Sequence, residues 1–300
     1  MSTDIAQTAD RLRGSITALV TPFRDGAVDE AAFRRIIDLQ IEGGTHGLVP
    51  CGTTGESPTL THDEHKRLIA VCVEQAAGRA PVIAGAGSNS TAEAIELAKF
   101  SEDAGADALL AVTGYYNKPS QPGLYAHYEA LSAATRLPII VYNVPGRTIA
   151  DISVETMGAL SRLPNVIGVK DATGDLARMA RHRLACGGDF ICLSGEDATA
   201  VGFNAMGGRG CISVLSNIVP KEAATMQEAT LRGDFEGALQ WQDKLLPLAD
   251  ALFADVSPGP AKYALARLGL CTDELRLPLA PPKEEARVKI DFALSALGLV

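Results

Sequence analysis

Along the chain, short apolar runs alternate with stretches in which apolar residues recur every three or four positions. The runs are GSITALVTPF at 14–23, HGLVPCGTTGE at 46–56, PVIAGAGS at 81–88 and DALLAVTGYY at 107–116. They continue with LPIIVYNVP at 137–145, NVIGVKDATG at 165–174, FICLSGED at 190–197 and GRGCISVLSN at 208–217. Each is short, rich in β-branched or other apolar residues, and ends near Gly, Pro, Asn or Ser, the pattern of a parallel strand buried on both faces. The intervening stretches read as helices. Asp29 to Glu42 places Phe33, Ile36, Ile37 and Ile41 on one face, and Thr91 to Ala104 carries Ala94, Ile95, Leu97 and Ala98.

Eight strand–helix alternations predict an α/β chain folded as a (β/α)8 TIM barrel. The rival, a doubly wound sheet, commonly carries a glycine-rich turn after its first strand. The candidate here, GAGSNS, has Ser90 at the third glycine position, which argues against a dinucleotide site. Beyond about residue 218 the strand signal stops and helical patterns follow. The expected organisation is a barrel with the catalytic site over residues 1–230 and a C-terminal helical region over 231–300.

Composition narrows the function. A net charge of −9 argues against nucleic acid or an anionic membrane as the main partner. The first residues are polar and lack the apolar core of a signal peptide, and no apolar stretch reaches the roughly 20 residues that span a bilayer. Six scattered cysteines without a CxxC fit free thiols in a reducing cytoplasm. His62 and His65 lie three apart, as zinc ligands do, but no third ligand is near, so no metal is expected.

In a barrel of this kind the reactive groups lie at the C-terminal ends of the strands. There the sequence places Thr53, Thr54 and Glu56, then Tyr115 and Tyr116, then Tyr142, Asn143 and Arg147, then Lys170 and Asp171, then Ser194 and Glu196. Lys170 is the unusual one, because a buried strand seldom ends in lysine. Apolar surroundings disfavour a charged amine, and a neutral amine can attack a carbonyl to form a Schiff base. Snorkelling to solvent or pairing with Asp171 is the other reading. Imine chemistry needs a proton shuttle, and Tyr142 can donate and accept; it could equally be a core aromatic. Thr53 and Thr54, between glycines, offer hydroxyls and close backbone approach to a carboxylate, or simply cap a turn. Arg147 can fork onto a second carboxylate, or lie on the surface.

Taken together, GTTGES, YYNKPSQPGLYAHY, YNVPGRT, GVKDATGD, SGED and GCISV resemble the dihydrodipicolinate synthase / N-acetylneuraminate lyase family over about residues 14 to 270. The resemblance implies a (β/α)8 barrel with a C-terminal helical region, cytoplasmic, assembled as a homotetramer of two tight dimers, with no cofactor. It implies that Lys170 forms the Schiff base with pyruvate. Tyr142 would move protons with Thr53 and with Tyr116, the last lent across the tight dimer. Thr54 and, through its backbone, Ile212 would bind pyruvate, Gly195 would take part in substrate binding, and Arg147 would hold the carboxylate of L-aspartate 4-semialdehyde. The presence of PGRT and YYNKP together favours the synthase over the sialic acid lyase and ketodeoxygluconate aldolase branches; a catalytically silent keto-acid-binding barrel is a third reading. The resemblance further implies a regulatory L-lysine site at Ser57, His62, His65, Asn89, Glu93 and Tyr115, with Pro58 departing from the small residue common there.

Overall fold

The computed structural model describes residues 3–300. Its centre is an eight-stranded, all-parallel sheet. The strands are β1 (Gly14–Ala18), β2 (Gly47–Val49), β3 (Ile83–Gly85), β4 (Ala108–Val112), β5 (Ile139–Asn143), β6 (Val166–Asp171), β7 (Ile191–Ser194) and β8 (Gly210–Ser213). Spatial order runs β2, β1, β8, β7, β6, β5, β4, β3. A parallel bridge from Leu48 to Val82, with Leu48 N donating to Pro81 O at 2.9 Å, joins the two ends and closes the barrel.

Every predicted run contains one barrel strand, but the runs overshoot. The stretch 46–56 is strand only over Gly47–Val49, because Cys51 and Glu56 take positive φ of 55° and turn the chain. The two predicted helices are α2 (Glu30–Glu42) and α4 (Thr91–Asp103). Asp29 caps α2 by accepting from Ala32 N, and Phe33, Ile36 and Ile37 are buried. Helix α3 (His62–Ala76) starts with a full capping box between Thr61 and Glu64.

Two apolar clusters result. One fills the space between strands and helices; the other fills the lumen with Ile16, Val49, Ile83, Leu110, Ile140, Tyr142, Ile167, Leu193 and Ile212 among others. The lumen cluster also takes Ala9 from the end of an N-terminal helix, α1 (Thr3–Arg11), and the following Leu12. The polar N-terminus conceals this helix, since it commits a single narrow stripe (Ile5, Ala9, Leu12) to the barrel.

After β8 the chain is helical: α10 (Pro220–Leu231), α11 (Phe235–Leu252), α12 (Gly259–Arg267) and α13 (Glu284–Ala296). Buried residues of α10 to α13 join the outer barrel core. A polar tie adds to this packing. Lys262 on α12 is fully buried, and its Nζ donates to Glu56 Oε1 at 2.7 Å. Burial pushes the Lys262 ammonium below its ordinary range, against the pull of Glu56. Arg276 N donates to the other Glu56 oxygen at 3.2 Å, while the Arg276 guanidinium forks onto Glu64. Both cations lie against the Phe23 ring, at 4.1 and 4.3 Å from its centroid.

Removing one member of a buried ion pair typically costs about 3–5 kcal/mol, because the other charge is stranded. Lys262→Met should therefore lower the urea midpoint by that equivalent, and adding Glu56→Gln should recover part of the loss. An unchanged midpoint in Lys262→Met would show that the tie contributes nothing.

Candidate active site

The placement of Lys170 begins with a slip in register. Ile139 of β5 faces Val166 of β6, but the next partners are Ile140 and Gly168, so β6 carries one extra residue. Such a bulge reverses which face each later side chain meets. Val166 lies in the outer cluster and Ile167 in the lumen, yet Val169 is again outside. Downstream of the slip, Lys170 stands opposite Tyr142 and Asp171 opposite Asn143. Tyr142 belongs to the lumen cluster, and the Lys170 amine lies 4.2 Å from its ring centroid. Both residues are only 6 % exposed. Asp171 engages the opposite side, toward Arg178 and His182 of α8 (Ala177–Cys186). Lys170 therefore neither snorkels to open solvent nor pairs with Asp171.

The slip requires glycine. A Cβ on Gly168 would stand 2.5 Å from Ile191 O and 2.7 Å from Ile191 Cβ of β7. The glycines of GAGSNS have the same kind of role. A Cβ on Gly85 would lie 2.2 Å from Cys51 O, and one on Gly87 the same distance from Val112 N. They let the loops after β2 and β3 and the end of β4 pack backbone to backbone, with no need of a bound phosphate.

Thr54 is buried and Thr53 half-buried in the turn after β2. The Thr21 hydroxyl donates to Gly55 O at 2.7 Å and holds this turn from one side, while Glu56 and Lys262 hold it from the other. Ile212 lies in the lumen cluster with Tyr142. Gly195 follows β7, its N–H donating to Asp171 O at 2.7 Å, and a Cβ there would strike Ala172 Cβ at 2.7 Å. Arg147 is exposed on the short helix α6 (Pro145–Thr148) beyond β5. Glu196 is held above the ordinary carboxylate range by burial and by Asp197, an effect opposed by Lys170 and Arg147. Tyr116 stands apart: it has φ 69° and is 93 % exposed, projecting away from its own chain.

A separate cleft of about 350 Å³ is lined by Ser57, His62, His65, Glu93 and Tyr115, together with Pro58 and others. Asn89 supports it by donating to Tyr115 O at 3.4 Å. His62 Nε2 lies 2.6 Å from Glu93 Oε1, the Ser88 hydroxyl donates to the other Glu93 oxygen, and His65 Nε2 bonds Gly85 O at 2.7 Å. The two histidines thus have different partners. Burial raises the Tyr115 hydroxyl above its ordinary range, reinforced by Glu93. Sequence reasoning missed Lys262 and Arg178 as supports of the site; a buried Lys or Arg within an otherwise ordinary helix gives no local signal.

The chain is similar to proteins of one family. A model of the dihydrodipicolinate synthetase family matches residues 11–297. The 4-hydroxy-tetrahydrodipicolinate synthase of Methylobacterium radiotolerans is 60% identical over 293 residues, covering 98% of each chain. The crystal structure of the chloride-inhibited dihydrodipicolinate synthase of Acinetobacter baumannii, complexed with pyruvate, superposes with a TM-score of 0.94 at 43% identity. It covers 96% of this chain and 100% of its own. The enzyme of Cyanidioschyzon merolae, solved with lysine bound, gives 0.93 at 40% identity, over 97% and 99% of the two chains.

If the slip at Gly168 aims Lys170 inward, Gly168→Ala should cost about 1–3 kcal/mol of stability, the usual penalty for an overfilled core. It should also slow imine formation between Lys170 and a small ketone. A variant with native urea midpoint and native imine formation would contradict the role given to the slip.

Proposed function

This chain belongs to the dihydrodipicolinate synthetase family, and on that premise we propose that it condenses pyruvate with L-aspartate 4-semialdehyde, the 4-hydroxy-tetrahydrodipicolinate synthase reaction of the diaminopimelate route to lysine. The observation that carries the reading is the buried Lys170 amine against the Tyr142 ring at the C-terminal rim of the barrel. The enzyme is a lyase of the Schiff-base-forming aldolase type.

Lys170 Nζ attacks the pyruvate ketone. Water leaves and a protonated imine forms. The imine withdraws electrons, so a methyl proton is lost and an enamine results. The enamine carbon attacks the aldehyde of the second substrate, whose oxygen takes up a proton. The amino group of the new chain then displaces Lys170 Nζ as the ring closes, which returns the free amine. Tyr142 moves the protons, in a relay with Thr53 and Tyr116. Thr54, Gly195 and the backbone of Ile212 bind the pyruvate end, and Arg147 receives the carboxylate of the second substrate. A synthase should consume both substrates in an assay coupled to reduction of the product, and Lys170→Ala should lower kcat by at least a thousandfold. Cleavage of sugar-derived keto acids without semialdehyde turnover would transfer the chain to the sister aldolases.

Tyr116 completes the relay from a second copy of the chain, in keeping with its outward projection, and two such dimers form the tetramer. Tyr116→Phe and Lys170→Ala, each nearly inactive alone, should regain activity when refolded together, because a mixed dimer holds one intact site. Failure to regain activity in verified mixed dimers would place Tyr116 outside the relay.

The cleft beside Tyr115 takes L-lysine. Glu93 offers a carboxylate to an amino group, and Tyr115 adjoins Tyr116, so occupancy is coupled to the relay. Millimolar lysine should inhibit the enzyme, and Glu93→Ala should relieve the inhibition. Unchanged wild-type rates would overturn the regulatory reading.

A further inference from the structure

The segment that carries Arg147 is pinned from behind. It leaves β5 at Asn143, makes the single turn of α6 and returns through Ile149, Ala150 and Asp151. Ile149 adopts φ 63°, a conformation uncommon for a β-branched residue. Inside the loop, the buried Thr148 hydroxyl donates to Val144 O at 3.1 Å and Ala150 O at 2.9 Å. The Arg147 backbone N–H donates to Val144 O at 2.9 Å, but among the described residues its guanidinium has no hydrogen-bond partner. Its position is therefore set by where the loop's two ends are held.

The returning end meets one buried guanidinium, and Asn143 ties the leaving end to it through Asp151 and Ile152. Arg178 on α8 has a side chain only 10 % exposed. Its Nη1 donates to Asp151 Oδ2 and its Nη2 lies by Asp151 Oδ1, both at 3.0 Å, a bidentate fork. Nη2 also donates to Ile152 O. Asn143, fully buried at the end of β5, donates to Asp151 Oδ1 at 2.7 Å and accepts from Ile152 N at 3.1 Å. On its other edge, Arg178 Nε lies 3.6 Å from Asp171 Oδ2, and His182 Nδ1 lies 4.0 Å from the same oxygen. That carboxylate oxygen, Arg178 Nε and both His182 ring nitrogens are buried without a hydrogen bond. Asp171 directly follows Lys170. One cation thus stands between the strand of the nucleophile and the loop of the second-substrate arginine, and balances the carboxylates of both.

We infer that Arg178 is a positioning residue that sets affinity for the second substrate by holding the Arg147 loop in register with Lys170. The inference rests on the synthase reading. It predicts a selective effect, because the loop carries nothing assigned to pyruvate. Loss of Arg178 leaves the buried Asp171 without the guanidinium beside it and unpins the return of the loop. Arg147 then samples several positions, while the β-strand backbone continues to fix Lys170 and Tyr142.

The test is steady-state kinetics of the full-length enzyme with each substrate varied. Arg178→Met should raise KM for aspartate semialdehyde at least tenfold and leave KM for pyruvate within twofold. Arg178→Lys should fall between, since a point charge cannot fork. Arg147→Ala should show the same selective rise, and the double variant Arg147→Ala/Arg178→Met should be scarcely worse than Arg147→Ala. Equal changes in both KM values, no change in either, or fully additive losses would overturn the role. If Arg178→Met does not fold, Asp151→Asn, which alters the half-exposed end of the fork, decides by the same criterion. Wild-type turnover in the same assay separates failure of this inference from failure of the synthase reading.

Discussion

The arrangement depends on one extra residue in one strand. A barrel strand shows alternate side chains to the lumen and to the helices, so an even phase would send Lys170 outward among the helices. The slip between Val166 and Gly168 reverses that phase. A single amine then enters an apolar lumen beside an aromatic ring, while the adjacent carboxylate is sent to the outer side. Gly168 can have this role because β7 comes so close that no side chain fits.

The rest of the site is held by buried charges placed outside the lumen. Glu56 and Lys262 are 206 residues apart in sequence, and together they join the turn bearing Thr53 and Thr54 to the C-terminal helices. Arg178 does the same for the loop bearing Arg147. In both cases a βα loop that carries candidate site residues is tied to a helix by a buried cation. Through Lys262 the helical region after β8 thus touches the turn bearing Thr53 and Thr54, although none of the proposed reacting groups lies on it.

Much of this was legible in the sequence, and the reason is local. Parallel strands buried on both faces appear as continuous apolar runs, and helices with one buried stripe repeat every three or four residues. The ring of strand ends then follows from topology, so Lys170, Tyr142, Thr54 and Arg147 could be grouped although they are far apart in sequence. What the sequence concealed is non-local. The phase of β6 depends on contact between Gly168 and Ile191, and the partner of Glu56 lies on a distant helix. Helix α1 was hidden because it gives the barrel only a narrow apolar stripe.

The central claim is that this one lumen-facing amine bonds covalently to the keto acid, and trapping tests it most directly. The protein would be incubated with pyruvate and borohydride, and the modified peptide located by mass spectrometry. The account predicts one reduced pyruvyl adduct per chain, on Lys170. No adduct, or an adduct on any other lysine, would contradict it.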